Sequence, residues 1–301
     1  MDIGDYIETN SVELFNWGKA ITDELTMKHG ALLKVPASMR VKDVVSARKK
    51  QLKKGYSNPA LEMTDLVGAR FVVLTSDEVL PILDTIRASV LWDHKQTRDP
   101  GAEAEQHPTV FEYQSHHYEL RPKGDSHLCC EVQVRTLLQH TIAELSHDAF
   151  YKASVEAPNH AMRLVARSIA LMETTDELLC KAMQTVRAAQ EPVEALKREA
   201  ITQSDRLGGG GGELLDDLFE AYGAGIDYAT VEEFRAFVRD YGFVLERIAA
   251  RRDNGVFSFS ASALMTYWFA KKIGKKMFST WPYPGSVSDL RLIFSDLGLA
   301  T

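Results

Sequence analysis

Between Arg40 and Lys54 the chain sets Arg40, Lys42, Arg48, Lys49, Lys50, Lys53 and Lys54 against Asp43 as the one acid. So dense a run of cations, in a protein of formal net charge −7, concentrates positive potential where a polyanion can bind. On a helix, Lys42, Ser46, Lys49, Lys50 and Lys53 would share a face by three- and four-residue spacing. A solvated basic helix has the same pattern. Further on, Asp65 stands at the entrance to an apolar run from Ala69 to Leu74, and Arg70 follows Gly68 by two residues. A carboxylate at a strand edge can hold Mg²⁺ through waters and substrate phosphates, because that ion takes only one or two protein carboxylates. It can equally be a turn or helix-capping residue. Glu131, Gln133 and Arg135 alternate with Cys130, Val132 and Val134, which in a strand gives one face bearing a carboxylate, an amide and a guanidinium. That face suits a site for a charged ligand, and it also suits the solvated side of an edge strand. Asp65 and Glu131 are the candidate Mg²⁺ pair.

These residues need elements to carry them. Apolar spacing predicts a helix over Ser11 to Lys34, ended by Pro36, and a second from Val41 to Lys54, closed by Gly55. Ala69 to Leu74 reads as a buried strand and Glu78 to Ser89 as a helix despite Pro81 near its start. The polar stretch Asp93 to Pro108 reads as a mobile loop. His117 to Arg121 and Cys129 to Arg135 read as strands around the turn Pro122-Lys123-Gly124-Asp125, and Thr136 to Lys152 as a helix on the sheet. This order implies a mixed α/β (α+β) domain flanked by helices. A long helical pattern then covers Ala161 to Ala200, and the glycines from Gly208 to Gly212 mark a linker. Thr230 to Glu233 forms a capping-box pattern ahead of Phe234, Phe237, Val238, Tyr241, Leu245 and Ile248 on one face. The expected organisation is a domain over 1–152, a helical extension over 153–207, the glycine linker 208–212 and a helical C-terminal region over 213–301, where Trp268 and Trp281 read as core or interface residues.

Composition narrows the classes. Hydrophobic residues make up 45% of the chain, the level of a folded globular protein, and the acidic balance excludes a uniformly basic nucleic-acid binder. The acidic start lacks the basic head and apolar run of a signal peptide, and no apolar stretch is long enough to cross a membrane. Cys129, Cys130 and Cys180 include no C-x-x-C pair, which fits a reducing, cytoplasmic setting, and Cys129 and Cys130 are expected to be strand-packing residues because Cys130 shares a face with Val132 and Val134.

In order along the chain, five segments resemble the synthetase domain of the RelA/SpoT homologue family, in its small single-domain form. Arg40-Val41-Lys42 with Ser46 and Lys50 resembles the segment that binds ATP phosphates. Asp65-Leu66-Val67-Gly68-Ala69-Arg70 resembles the segment with the Mg²⁺-binding aspartate. Tyr113-Gln114-Ser115-His116-His117-Tyr118 is similar to the motif whose tyrosine stacks on the acceptor base and whose histidine lines the site. Glu131-Val132-Gln133-Val134-Arg135-Thr136 resembles the catalytic-glutamate strand, and His147-Asp148 with Tyr151-Lys152 the end of the following helix.

The resemblance implies a nucleotidyltransferase-like mixed sheet and a pyrophosphokinase that moves the β,γ-pyrophosphate of ATP to the ribose 3′-hydroxyl of GDP or GTP, making (p)ppGpp. It implies that Asp65 and Glu131 are catalytic and hold Mg²⁺, and that Arg40, Lys42, Ser46, Lys50 and Arg70 bind ATP. It places Tyr113, His117, Gln133 and Arg135 on the acceptor, with His116 structural. Glu112 stands where the family usually has glycine, which implies altered acceptor choice. Toxic members of the family act on the tRNA 3′ end or make adenosine alarmones, so tRNA is an alternative partner, beside homo-oligomerisation and a regulatory or antitoxin protein. A catalytically silent binding module is the remaining alternative. With 39 residues before Arg40, the hydrolase domain of the long family members is not expected.

Overall fold

The structure is a computed structural model and describes residues 2–111, 114–124, 127–146, 158–206, 212–251 and 260–301. Glu112, Tyr113, His147, Asp148, Tyr151, Lys152 and the glycines 208–211, on which sequence-based expectations fall, lie outside the described residues. The chain divides into two compact units, Met1–Ala182 and Met183–Thr301.

The first unit opens with helices α1 (Ile3–Thr9) and α2 (Ser11–His29), followed by strand β1 (Leu33–Val41). The helix expected over Ser11 to Lys34 starts where predicted but its end is corrected: α2 stops at His29, and the chain turns extended at Leu33. Pro36 was read as a stop, but β1 is an edge strand, where a residue without an N–H is tolerated, and its register shifts between Leu33 and Ser38 accommodate it. Helix α3 (Val44–Lys54) begins three residues later than expected because Asp43 caps it, accepting from the Ser46 N–H at 2.8 Å. Gly55 ends it in the left-handed conformation, φ 67° and ψ 34°.

After the short helix α4 (Pro59–Glu62) come β2 (Val67–Val73), α5 (Val79–Ala88), β3 (Trp92–Arg98), α6 (Pro100–Gln106), β4 (His116–Pro122), β5 (Cys130–Thr136) and α7 (Leu137–Ser146). The strands form one sheet in the order β1-β2-β5-β4-β3, antiparallel throughout except for the parallel pair β2 and β5. The mixed α/β fold is as expected, but the loop predicted over Asp93 to Pro108 is not. Its residues form edge strand β3 and helix α6, the latter started by Pro100 and capped by Asp99. Lys95 faces Glu119 and Asp93 faces Arg121 across the β3–β4 pair, so polar side chains replace the apolar alternation that marks a half-buried strand.

One face of the sheet packs on α2 and α5: Phe71, Val132, Val134, Tyr118 and Leu120 meet Leu14, Ile21, Leu25, Ile82 and Ile86. Cys130 belongs to this core, and burial pushes the neighbouring Cys129 thiol up to about 12, so this pair is buried and joined by no disulfide.

Helix α8 (Asn159–Asp205) spans the boundary between the units. The second unit is helical: α9 (Leu215–Tyr222), α10 (Tyr228–Asp240), α11 (Phe243–Ala250), α12 (Ala261–Ile273), α13 (Met277–Thr280) and α14 (Val287–Asp296). Helix α12 is its centre, buried on every side from Ala261 to Ala270, and Trp268 and Trp281 are core residues. The capping box sits one turn earlier than the sequence suggested. Asp227 is the cap and Thr230 the reciprocal partner, since Asp227 accepts from the Thr230 N–H and the Thr230 hydroxyl accepts from the Asp227 N–H. Among the described residues no helix is long and apolar enough to cross a membrane.

Gly55 provides a clean test of the turn after α3, because a Cβ placed there would meet nothing within 4 Å. Gly55→Ala should cost about 1–2 kcal/mol through backbone strain alone, read as a lowered urea midpoint with an unchanged slope. An unchanged midpoint would contradict the left-handed assignment.

Candidate active site

The sheet face away from the core carries two rows of cross-strand partners. The first runs Arg40, Gly68, Glu131, Glu119, Lys95, and the second Ser38, Arg70, Gln133, His117, Arg98. The alternation of β5 thus does what its sequence implied, presenting Glu131, Gln133 and Arg135 opposite the core face. It is a central strand, which rules out the solvated-edge alternative.

A cavity of about 360 Å³ lies on these rows, lined by Arg40, Asp65, Gly68, Arg70, Glu131 and Gln133 among others. Gly68 sits between Arg40 and Glu131, and a Cβ there would meet no atom within 4 Å, so the missing side chain leaves the cavity floor open. A second cavity of about 1020 Å³ shares Arg40, Arg70, Gln133 and Glu144 with the first and adds Arg98, His117, Arg135 and Arg163, with apolar walls from Val110, Phe111, Met162 and Ile169. Its apolar lining with a few convergent charged groups is the composition of a small-molecule site.

The two expected carboxylates come together in the first cavity. Asp65 precedes β2, and Lys42 is held beside it by its backbone N–H donating to the Leu66 carbonyl at 2.8 Å. Lys42 Nζ reaches Asp65 Oδ2 at 2.7 Å and Lys50 Nζ reaches the same oxygen at 2.9 Å. Burial pushes the Asp65 carboxyl up, but the hydrogen bonds and the charges of Lys42 and Lys50 together outweigh it and hold the group below the ordinary aspartate value. Its side chain is 19% exposed, yet Oδ1 is buried with no hydrogen-bond partner among the described residues. Glu131 behaves similarly: burial raises it, while His117 Nδ1 at 3.3 Å from Oε1 and Gln133 Nε2 donating to Oε2 at 3.0 Å bring it below the ordinary glutamate value. The charge on Asp65 works against Glu131, which places the two acids within electrostatic reach.

An ionised, buried carboxylate oxygen lacking a partner, beside a second ionised carboxylate in one cavity, is the donor chemistry that suits Mg²⁺. Among the described residues no group of three or more His, Cys, Asp or Glu side chains is placed to hold a metal ion, so an all-protein metal cage does not fit.

The remaining expected residues divide. Arg40 and Arg70 line both cavities, and His117, Gln133 and Arg135 line the larger. Lys42 and Lys50 engage Asp65 without lining either cavity, and Ser46 is exposed on the first turn of α3. His116 pairs with Val134 and so faces away from His117, as a structural histidine should. Arg98 and Glu144 were not anticipated. Arg98 lay in the stretch read as a loop, and Glu144 carried only a helical spacing from His140.

The family described as a region found in RelA / SpoT proteins matches residues 39–156. This stretch of the chain is thus similar to the RelA/SpoT region. Among solved structures, small alarmone synthetase 1 from Bacillus subtilis is similar at 20% identity and a TM-score of 0.52, over 61% of this chain and 99% of that one. The same synthetase bound to its product pppGpp gives 20% identity and 0.53, over 60% and 98%. A GTP pyrophosphokinase family protein from Streptococcus pneumoniae gives 18% identity and 0.51, over 62% and 95%. At these identities the likeness is one of fold. No curated protein matches the chain. The matched RelA/SpoT region contains both sheet rows except Ser38, and both carboxylates.

The Asp65 cluster has a defined pH signature. Its folded pKa is depressed, so its contribution to stability is present above the unfolded value of about 3.9 and is lost as pH falls through the folded value. Replacing Lys42 and Lys50 together by Met leaves burial unopposed. The Asp65 carboxyl midpoint, followed by carbon-13 NMR, should then move from below the ordinary value to above it. A midpoint that stays put would show that the lysines do not set it.

Proposed function

We propose that the protein is an ATP-dependent pyrophosphokinase that transfers the β,γ-pyrophosphate of ATP to the ribose 3′-hydroxyl of GDP or GTP. The observation that carries this reading is the pair of ionised carboxylates, Asp65 and Glu131, in one cavity with Arg40 and Arg70 inside a RelA/SpoT region. The fold neighbour bound to pppGpp is consistent with it.

The chemistry asks for little beyond placement and charge. A ribose hydroxyl attacks the β-phosphorus in line, the bond from that phosphorus to the α,β-bridging oxygen breaks, and AMP leaves with the electron pair. Positioning and neutralisation of phosphate charge should dominate the rate. Asp65 and Glu131 would hold Mg²⁺, which when bound supplies charge neutralisation on the phosphates. Arg40 and Arg70 are placed to clamp donor phosphates, and Arg40 is exposed with no ion pair among the described residues, leaving its plane available for stacking on adenine. Lys42 and Lys50 hold the Asp65 carboxylate. Glu131, kept ionised, can accept the hydroxyl proton, and His117 and Gln133 fix its two oxygens in place.

A second acceptor class, the tRNA 3′ end, is favoured by one observation: Lys49, Lys53 and Lys54 on α3 are exposed and form no ion pair among the described residues, a pattern suited to a phosphodiester backbone. Incubation of the protein with labelled ATP and, in turn, GDP, GTP, ADP, AMP or deacylated tRNA separates the acceptors. The guanine nucleotides should give the labelled product, and labelling of tRNA alone would shift the reading to the second class.

Asp65→Asn and Glu131→Gln should each lower transfer on the order of a hundredfold or more, with folding intact by circular dichroism. Near-normal turnover in a folded variant would remove that residue from the site.

A further inference from the structure

On helix α7 one carboxylate takes an unusual position. Glu144 Oε1 accepts from Arg70 Nη1 at 2.8 Å and from Arg135 Nη2 at 3.4 Å, and His140 Nδ1 lies 3.6 Å from the same oxygen. Two guanidiniums from adjacent parallel strands thus converge on a single oxygen, the geometry in which arginines hold a phosphate oxygen. Burial, with the charges of Arg135 and Arg70, holds His140 below the ordinary imidazole value, so near neutral pH two cations face one carboxylate.

We propose that Glu144 is an internal stand-in for a substrate phosphate, occupying an anion subsite of Arg70 and Arg135 from which a phosphate or pyrophosphate group of the incoming nucleotide displaces it. The inference rests on the proposed nucleotide chemistry and names how that site is regulated. Three observations separate it from an ordinary supporting ion pair. Glu144 is the one acid among the described residues lining the larger cavity, against Arg40, Arg70, Arg98, Arg135 and Arg163. Arg135 is 2% exposed and fixed within the fold, whereas the Glu144 side chain is 49% exposed, so the cation is the rigid partner and the acid the releasable one. The contacts of Glu144 all run through Oε1, which leaves no second anchor to hold the side chain down.

The energetics favour exchange over simple opening. A half-exposed carboxylate returns to water at little net cost, but the buried Arg135 would lose the charge-assisted contact it makes with Glu144 unless another anion took that place. Displacement is thereby coupled to occupancy. A multiply charged terminal phosphate competes with Glu144 better than the single charge of a phosphodiester, so the contact selects for nucleotides that carry free phosphates.

The test is calorimetric titration of the full chain with inorganic pyrophosphate. Glu144→Gln keeps the size of the side chain and removes the competing charge, and should tighten pyrophosphate binding by about tenfold. Adding Arg70→Gln should erase that gain. Steady-state kinetics of Glu144→Gln with ATP and GDP varied in turn then assign the phosphate to the donor or the acceptor, since the substrate whose KM falls owns it. Unchanged or weaker pyrophosphate binding in folded Glu144→Gln and Glu144→Ala variants would overturn the proposal and make Glu144 a structural partner of the arginines. The titration needs no turnover. Tighter binding without any pyrophosphate transfer would count against the proposed reaction while sustaining the role of Glu144, and transfer with unchanged binding would do the reverse.

Discussion

The parallel pairing of β2 with β5 is the constraint on which the site depends. These strands are far apart in sequence, and their register sets Gly68 against Glu131 and Arg70 against Gln133. Because side chains alternate with a period of two, a slip of one residue would turn Glu131 and Gln133 into the core and Val132 and Val134 out of it. The apolar face prevents that slip: Ala69, Phe71, Val132 and Val134 are buried against α2 and α5. The chemistry-bearing face is thus registered by the side that has no chemistry.

Given that register, the electrostatics follow one theme. The polar face and its rim hold more cations than acids, and two of the acids sit between cations that would otherwise repel one another. Asp65 joins Lys42 to Lys50, and Glu144 joins Arg70 to Arg135. Glu131 is fixed by His117 and Gln133 instead, which leaves it oriented without a strong ion pair. An ionised but lightly tethered carboxylate is suited to act on a substrate proton. A carboxylate bound to two lysines is suited to hold position.

Much of this was legible in sequence because it obeys a simple period. The polar face of β5 was readable from Glu131, Gln133 and Arg135, and the buried strand β2 from its valines. Gly55 and the cationic run marked the end of α3. What failed did so for identifiable reasons. Edge strand β3 satisfies its polar side chains across the pair with β4 and so lacks apolar alternation, which hid Arg98. Pro36 looked like a breaker and is tolerated because β1 is an edge. Thr230 resembled a cap, yet Asp227 three residues earlier has both the side-chain oxygen and the extended backbone, φ −137° and ψ −175°, that a cap requires. Glu144 carried no signal beyond its helical spacing from His140, because its partners Arg70 and Arg135 approach only through the tertiary fold.

The central claim is that a two-phosphate unit moves intact from ATP to a ribose hydroxyl. It is tested most directly by following the phosphorus-31 spectrum and the nucleotide products of the protein with Mg²⁺, ATP and GDP. AMP and an acceptor bearing a new 3′-pyrophosphate should form in equal amounts, the new group carrying both the β and the γ phosphorus of ATP. Formation of ADP with a single phosphate on the acceptor, or release of free pyrophosphate without an acceptor product, would contradict it.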